Sequence, residues 1–309
     1  MTQMNVGQAR VIDPVLSTVA QGYKNQELVG ASLFPYVPVD LRGGKVIAFG
    51  KEAFKLYSTL RAPGGVVKRI QFGYAANPYA IETHNLAAVV PWEIQTEAQT
   101  YPGIDITSRS VGTVMKSMLL ELETQQAGLA TNASNYDSNH KLALSGTSMW
   151  SDPASDPIKA IDTAREAIRS SIGAYPNTMM FGPAAWKAFK NNPTVIDRIK
   201  YTQRALLTEQ LAAELTEIPN VVVGKAVTAD DAGAFSDVWG NDVVLAYTAL
   251  GSLSAEEPSY GYTYRLRGNP TVDQPWYDSN TKSWIYPVTD ERIPVQTGFT
   301  AGFLFTNVG

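Results

Sequence analysis

The sequence predicts an α+β fold built from unlike parts, and three observations predict it. Residues 45–92 read as strand, turn and strand, an extended arm. Residues 104–131 carry one long amphipathic helix. Beyond residue 157 helices and short strands alternate, and the chain from Tyr260 onward turns strand-rich and aromatic.

Residues 1–44 look like a segment laid over other surfaces. Asp13-Pro14 starts a short helix, with Asp13 as N-cap and Pro14 in the first helical position. Leu33 to Val39 alternates apolar residues with Pro35 and Pro38, so it reads as extended and outside the centre of any sheet. Gly43-Gly44 is a hinge into the arm, where two residues without Cβ let the backbone turn freely.

The arm follows. Val66, Lys68, Ile70, Phe72 and Tyr74 alternate with Val67, Arg69, Gln71 and Gly73, the period of a strand. Ala62-Pro63-Gly64-Gly65 supplies turn chemistry at the tip, because Pro fixes φ and Gly tolerates positive φ. Each flank can run for roughly 50 Å at about 3.3 Å per residue. A lone hairpin of that kind is marginal in water. Its apolar face needs a partner, which another chain can supply, so the arm points to assembly before chemistry.

In the long helix, Val111, Val114, Met115, Met118, Leu119 and Leu122 recur at spacings of three and four, with Asp105 as N-cap. At 1.5 Å per residue it spans about 40 Å, the length of a spine or of an ordinary core helix. The polar run from Asn132 to His140 reads as solvated loop. It lacks the Gly and the terminal Glu of a calcium loop. A second helix covers 157–172, capped by Asp156 and ended by Gly173. Strand Thr178–Phe181, a helix opening at Gly182-Pro183, short helices over 194–201 and 208–216, and strands at 221–223 and 243–247 complete a mixed lobe.

Composition narrows the function. With 44% hydrophobic and 17% charged residues, the chain buries a sizeable core and is not disordered. It contains no cysteine, which excludes disulfides, thiolate nucleophiles and cysteine metal sites. Net charge is −4 and no basic run of the nucleic-acid or membrane kind occurs. No run of about 18 apolar residues is present to span a membrane, and Met1–Arg10 lacks the apolar stretch of a signal peptide. A cytoplasm-like compartment is therefore expected for synthesis and folding.

Chemistry is hard to find. The two histidines, His84 and His140, sit in a strand flank and in the polar loop, away from any nucleophile elbow. Gly43-Gly44-Lys45 and Gly64-Gly65 lack the spacing of a phosphate loop. The acid pairs Asp230-Asp231, Glu256-Glu257 and Asp290-Glu291 read as solvent-facing, and no zinc-ligand spacing appears. No catalytic residue, metal or cofactor is expected.

Four stretches nevertheless carry a resemblance: DPVLSTVAQGYKNQELVGASLFPYVPV (Asp13–Val39), GKVIAFGKEAF (Gly44–Phe54) leading to RAPGG, VVVGKAV with FSDVWGNDVVLAY (Val221–Tyr247), and TGFTAGFLFTNV (Thr297–Val308). In that order the chain resembles the major capsid proteins of tailed bacteriophages, with the Hong Kong ninety-seven type fold. The resemblance implies an N-terminal arm over 1–43 and an extended loop over 44–92. It also implies a peripheral domain over 93–173 and 256–309, and an axial domain over 174–255.

The implied function is a homo-oligomeric shell of hexamers and pentamers. It encloses double-stranded DNA without reading its sequence and is assembled in the host bacterial cytoplasm as part of the virion. Scaffolding, portal and decoration proteins are the implied further partners. Contacts to a neighbouring copy are expected from Phe54, Leu56, Arg61, Pro63, Gly64, Gly65, Arg69, Ile70 and Phe72, with hinges at Gly43, Gly44 and Gly103. The arm lysines Lys51, Lys55 and Lys68 are expected to pair with acids or face solvent rather than to crosslink. An encapsulin-like compartment and a cytoplasmic α/β enzyme are the two alternative readings.

Overall fold

The computed structural model describes residues 12–23, 28–48, 60, 75–100, 105–200, 207–249 and 259–309. Helix α1 (Pro14–Gly22) starts as its sequence predicts: Asp13 Oδ1 accepts from the amides of Val15 and Leu16 at 2.9 and 3.0 Å. Strands β1 (Tyr36–Val39), β2 (Gly43–Ala48), β3 (Ala75–Ala80) and β4 (Glu82–Pro91) follow, then α2 (Trp92–Thr100). The long helix α3 (Ile106–Ala130) is capped by Asp105, which accepts from Thr107 and Ser108.

After a short strand β5 (Lys141–Ala143), helix α4 (Pro157–Ile172) begins at Asp156 and stops where Gly173 takes the left-handed conformation at φ 74°. Next come β6 (Thr178–Phe181), α5 (Pro183–Asn191), α6 (Pro193–Ile199), α7 (Glu209–Thr216) and β7 (Asn220–Val223). A small hairpin β8 (Val227–Ala229) and β9 (Phe235–Asp237) precedes β10 (Val243–Ala246). The chain ends with β11 (Gly261–Leu266), β12 (Thr271–Val272), β13 (Trp276–Asp278), β14 (Ser283–Gln296) and β15 (Gly302–Thr306).

Two sheets organise these elements. In the six-stranded sheet, β14 is the centre. Successive parts of it pair with β13, β12 and β11, so residues 261–296 make one long interrupted hairpin. Ser283–Arg292 of the same strand pairs on its other edge with β4, and β1 adds a parallel edge strand to β11. Pro35 and Pro38 thus stand at an edge, where a missing amide costs little. Val111, Val114, Met115 and Met118 of α3 bury against Val90, Tyr286 and Val288, with Leu16 and Ala20 of α1 closing this core.

The five-stranded sheet runs β5-β15-β10-β6-β7. The parallel pair β6/β7 is joined through α5, α6 and α7, as a parallel connection requires. Its strands β6 and β10 are buried at every position, and Trp150, Phe181, Phe189 and Phe305 pack with ring centroids 5.2–6.3 Å apart. Each such side chain contributes roughly 1.5–3 kcal/mol by burial. Sheet membership places β5 and the last strand β15 with this lobe, away from the strands of 261–296.

From the N-terminal segment, Leu33 and Phe34 are fully buried in the same core as Trp150 and Phe181.

Candidate assembly surface

The predicted arm contacts Phe54, Leu56, Arg61, Pro63, Gly64, Gly65, Arg69, Ile70 and Phe72, and the predicted hinge Gly103, lie outside the described residues. What is described is the root of the arm. Strands β2 and β3 pair antiparallel from Gly43↔Ala80 to Ala48↔Ala75, so residues 49–74 leave and re-enter at paired positions. Gly43 and Gly44 are the first two rungs of this ladder. A Cβ on Gly44 would come within 2.7 Å of the Tyr79 ring, which stacks on Tyr264 at 4.5 Å between centroids.

Beneath the root lies a buried charged cluster. Asp290 and Glu291, expected from the sequence to face solvent, are instead buried in β14, and Asp290 lies 3.4 Å from the fully buried Arg292 and accepts from Arg265 at 2.8 Å. Arg292 donates to the Met118 carbonyl at 2.5 Å and faces Glu121 at 3.5 Å. Burial draws the Arg292 guanidinium below its ordinary value, and the Asp290 charge opposes that. Arg265 lies over the Tyr36 ring at 4.4 Å, and Arg42 pairs with Glu291. This cluster fixes α3, β11 and β14 to one another where the arm departs.

An apolar stripe crosses the solvent face of the same sheet. Val89, Ile285 and Trp276 stand directly opposite one another on β4, β14 and β13, and opposed residues share a face. Val89 is 58% and Trp276 49% exposed, and Trp92 and Ile94 of α2 are exposed as well. Residues 82–100 hold three glutamates and no lysine or arginine. The surface is apolar with an acidic border.

The nearest approach to a reaction centre is one the sequence did not indicate. His140 is buried; its Nδ1 lies 2.7 Å from Asp137 Oδ1 and its Nε2 2.9 Å from Ser171 Oγ. The order resembles a Ser-His-Asp triad, but the surroundings are wrong. Ser171 sits in the last turn of α4 and also donates to the Ala167 carbonyl at 3.0 Å. A helix C-terminus presents carbonyl oxygens where an oxyanion needs N–H donors. The arrangement ties the polar loop to α4. The loop is thus solvated only in part, with His140 turned inward. His84 pairs with Glu121 at 3.2 Å in a cleft between β4 and α3. Among the described residues no group of three His, Asp or Glu could hold a metal ion, and no helix is long and apolar enough to cross a membrane.

Sequence reasoning also missed a polar hub. Glu123, buried on α3, accepts from the amides of Val29 and Gly30 at 3.0 and 2.9 Å and from Trp239 Nε1 at 2.6 Å. Burial pushes its carboxyl up, and these three bonds pull it back. One turn on, Gln126 donates to Thr263 Oγ1 at 2.9 Å. A Cβ on Gly30 would sit 2.0 Å from Gln126 Oε1 and 2.8 Å from Glu123 Oε2, so any larger residue would displace these two buried side chains. The signal was visible: Glu123 and Gln126 continue the apolar stripe of α3.

A family model described as phage major capsid protein E matches residues 130–284. A major capsid protein of Burkholderia phage BcepMu is 36% identical over 304 residues, covering 97% of both chains. The crystal structure of a phage-related protein from Bordetella bronchiseptica RB50 superposes with a TM-score of 0.84 at 45% identity, covering 97% of this chain and 99% of that one. The mature capsid protein of bacteriophage PhiM1 has a TM-score of 0.52 at 12% identity, over 93% and 90% of the two chains, a likeness of fold.

Proposed function

The chain belongs to the phage major capsid protein family, and on that premise we propose that its copies join as hexamers and pentamers in an icosahedral head around double-stranded DNA. The arm of one copy lies on the next. The observation that carries this reading is complementarity between the arm's sequence and the stripe described above. Residues 49–74 hold Lys51, Lys55, Arg61, Lys68 and Arg69 against the single acid Glu52, interleaved with Phe54, Leu56, Ile70 and Phe72. The stripe of Val89, Ile285 and Trp276 with its glutamates offers the opposite charge and an apolar seat. Many such contacts, each repeated around the shell, give stability through multivalency.

In this reading the six-stranded sheet with α1, α2 and α3 is the peripheral domain. The five-stranded sheet with α4 to α7, including β5 and β15, is the axial domain. Gly43, Gly44 and Gly103 remain the proposed hinges between subunit environments. The shell carries no catalytic activity, in keeping with the helix C-terminal placement of Ser171. The net charge of −4 suits a container that holds DNA without binding it in a salt-sensitive way. Assembly takes place in the host cytoplasm, with scaffolding, portal and decoration proteins as further partners.

Negative-stain microscopy of the purified chain, alone and with its scaffold, tests this. Closed shells are expected; soluble monomers under every condition would sink the proposal.

A further inference from the structure

The lobe carries a second surface that the arm does not use. Every residue from Ala229 to Asp237 is exposed, so β8 and β9 stand out from the lobe as a free hairpin. Its strands are held by Thr228 and Ser236, whose hydroxyls lie 3.1 Å apart on one face. The other face shows Ala229 opposite Phe235 and Val227 opposite Asp237. Phe235 is 77% exposed, more than any other aromatic among the described residues. A two-stranded hairpin with an aromatic in water is marginal unless something covers it.

Charge says what covers it. From Val227 to Asp242 there are four aspartates and no lysine or arginine. Helices α5 and α6 are the opposite: residues 183–200 hold Lys187, Lys190, Arg198 and Lys200 against Asp197. Lys187 and Lys190 lie one turn apart on an exposed face that leads to exposed Ile196. Among the described residues, Asp231 and Asp237 make no ion pair, and neither do Lys187, Lys190 or Lys200. Two surfaces of opposite sign are thus unmatched among the described residues.

We infer that the β8–β9 hairpin of one copy docks on the α5–α6 face of the next, Phe235 seating on Ile196 while Asp230 and Asp231 meet Lys187 and Lys190. The two patches differ, so the contact is heterologous and repeats head to tail, closing into a ring. It rests on the shell reading above and adds the contact that would hold the ring at its axis.

The chain has no cysteine, so engineered pairs report cleanly. Phe235→Cys and Ile196→Cys proteins are mixed, assembled and oxidised. The expected result is a disulfide-linked dimer only in the mixture, and a ladder of oligomers from the double variant. Bond formation needs Cα atoms about 4.4–6.8 Å apart. In parallel, Asp230→Lys with Asp231→Lys should cut the yield of closed shells at least tenfold, with circular dichroism unchanged. Adding Lys187→Glu and Lys190→Glu should restore it. Normal shells that give no crosslink and ignore the charge reversal would overturn the hairpin contact and leave the shell reading intact. A wild-type chain that never forms shells or rings would overturn both.

Discussion

Trp239 of the lobe donates its indole N–H to Glu123 of α3 at 2.6 Å, while the same carboxylate holds the amides of Val29 and Gly30. One buried side chain thereby joins the N-terminal segment, the long helix and the lobe. Removing it leaves three donors unsatisfied in a dry site, so Glu123→Ala should cost about 1–3 kcal/mol or more. Urea unfolding of the variant against the native chain measures it.

The same residue predicts a pH dependence. Burial raises the Glu123 carboxyl above its ordinary value of 4.5. Between that value and the raised one, the folded chain holds a proton that the unfolded chain releases. Stability from this group therefore rises as pH falls through the raised value and levels off below 4.5. The native chain should gain on Glu123→Gln as pH is lowered from above the raised value toward 4.5. A gap that narrows on acidification would contradict the account.

The Arg292–Asp290 pair makes a second stability prediction. Replacing one partner strands a buried charge, which costs about 3–5 kcal/mol in general. Arg265 still reaches Asp290 at 2.8 Å, so Arg292→Leu should cost about 3 kcal/mol, the lower end. Asp290→Asn in the same chain should recover part of that loss. A double-mutant cycle with no coupling energy would show that the two charges do not support each other.

Where local chemistry decides structure, the sequence was legible. Asp156-Pro157 and Gly173 mark the ends of α4 by capping alone, and Thr178–Phe181 is a strand because a short run of Thr and three apolar residues, all buried, sits between turn signals. Where pairing partners are far apart in the chain, it was not. Nothing local to Gly302–Thr306 says that it pairs with β10 and β5, or that Phe34 enters the lobe core. The Asp137–His140–Ser171 contact likewise depends on α4 returning to the loop, which no spacing reveals.

The arm and its seat predict assembly without predicting stability. Deleting residues 56–72 should leave a folded subunit that forms no closed shells. Val89→Asp, on an exposed position of the stripe, should do the same while changing subunit stability by only about 0.5 kcal/mol. Circular dichroism reports the fold and electron microscopy the shells. Normal shells from either variant would show that the arm does not use this seat.

Gly43 and Gly44 separate packing from hinge motion. At Gly44 the Tyr79 ring occupies the place of a Cβ, and that ring is held by Tyr264. Gly44→Ala should therefore weaken the arm root by about 1 kcal/mol whatever the hinge does. At Gly43 the nearest atom to a Cβ is the Tyr79 carbonyl oxygen at 3.7 Å, an ordinary contact. Gly43→Ala should leave the thermal midpoint of the isolated subunit unchanged and restrict only the backbone. If Gly43 is a hinge, that variant should form uniform rings but few closed shells, because the proposed hexamers and pentamers would demand different arm angles. Closed shells at the wild-type yield would remove Gly43 from the hinge.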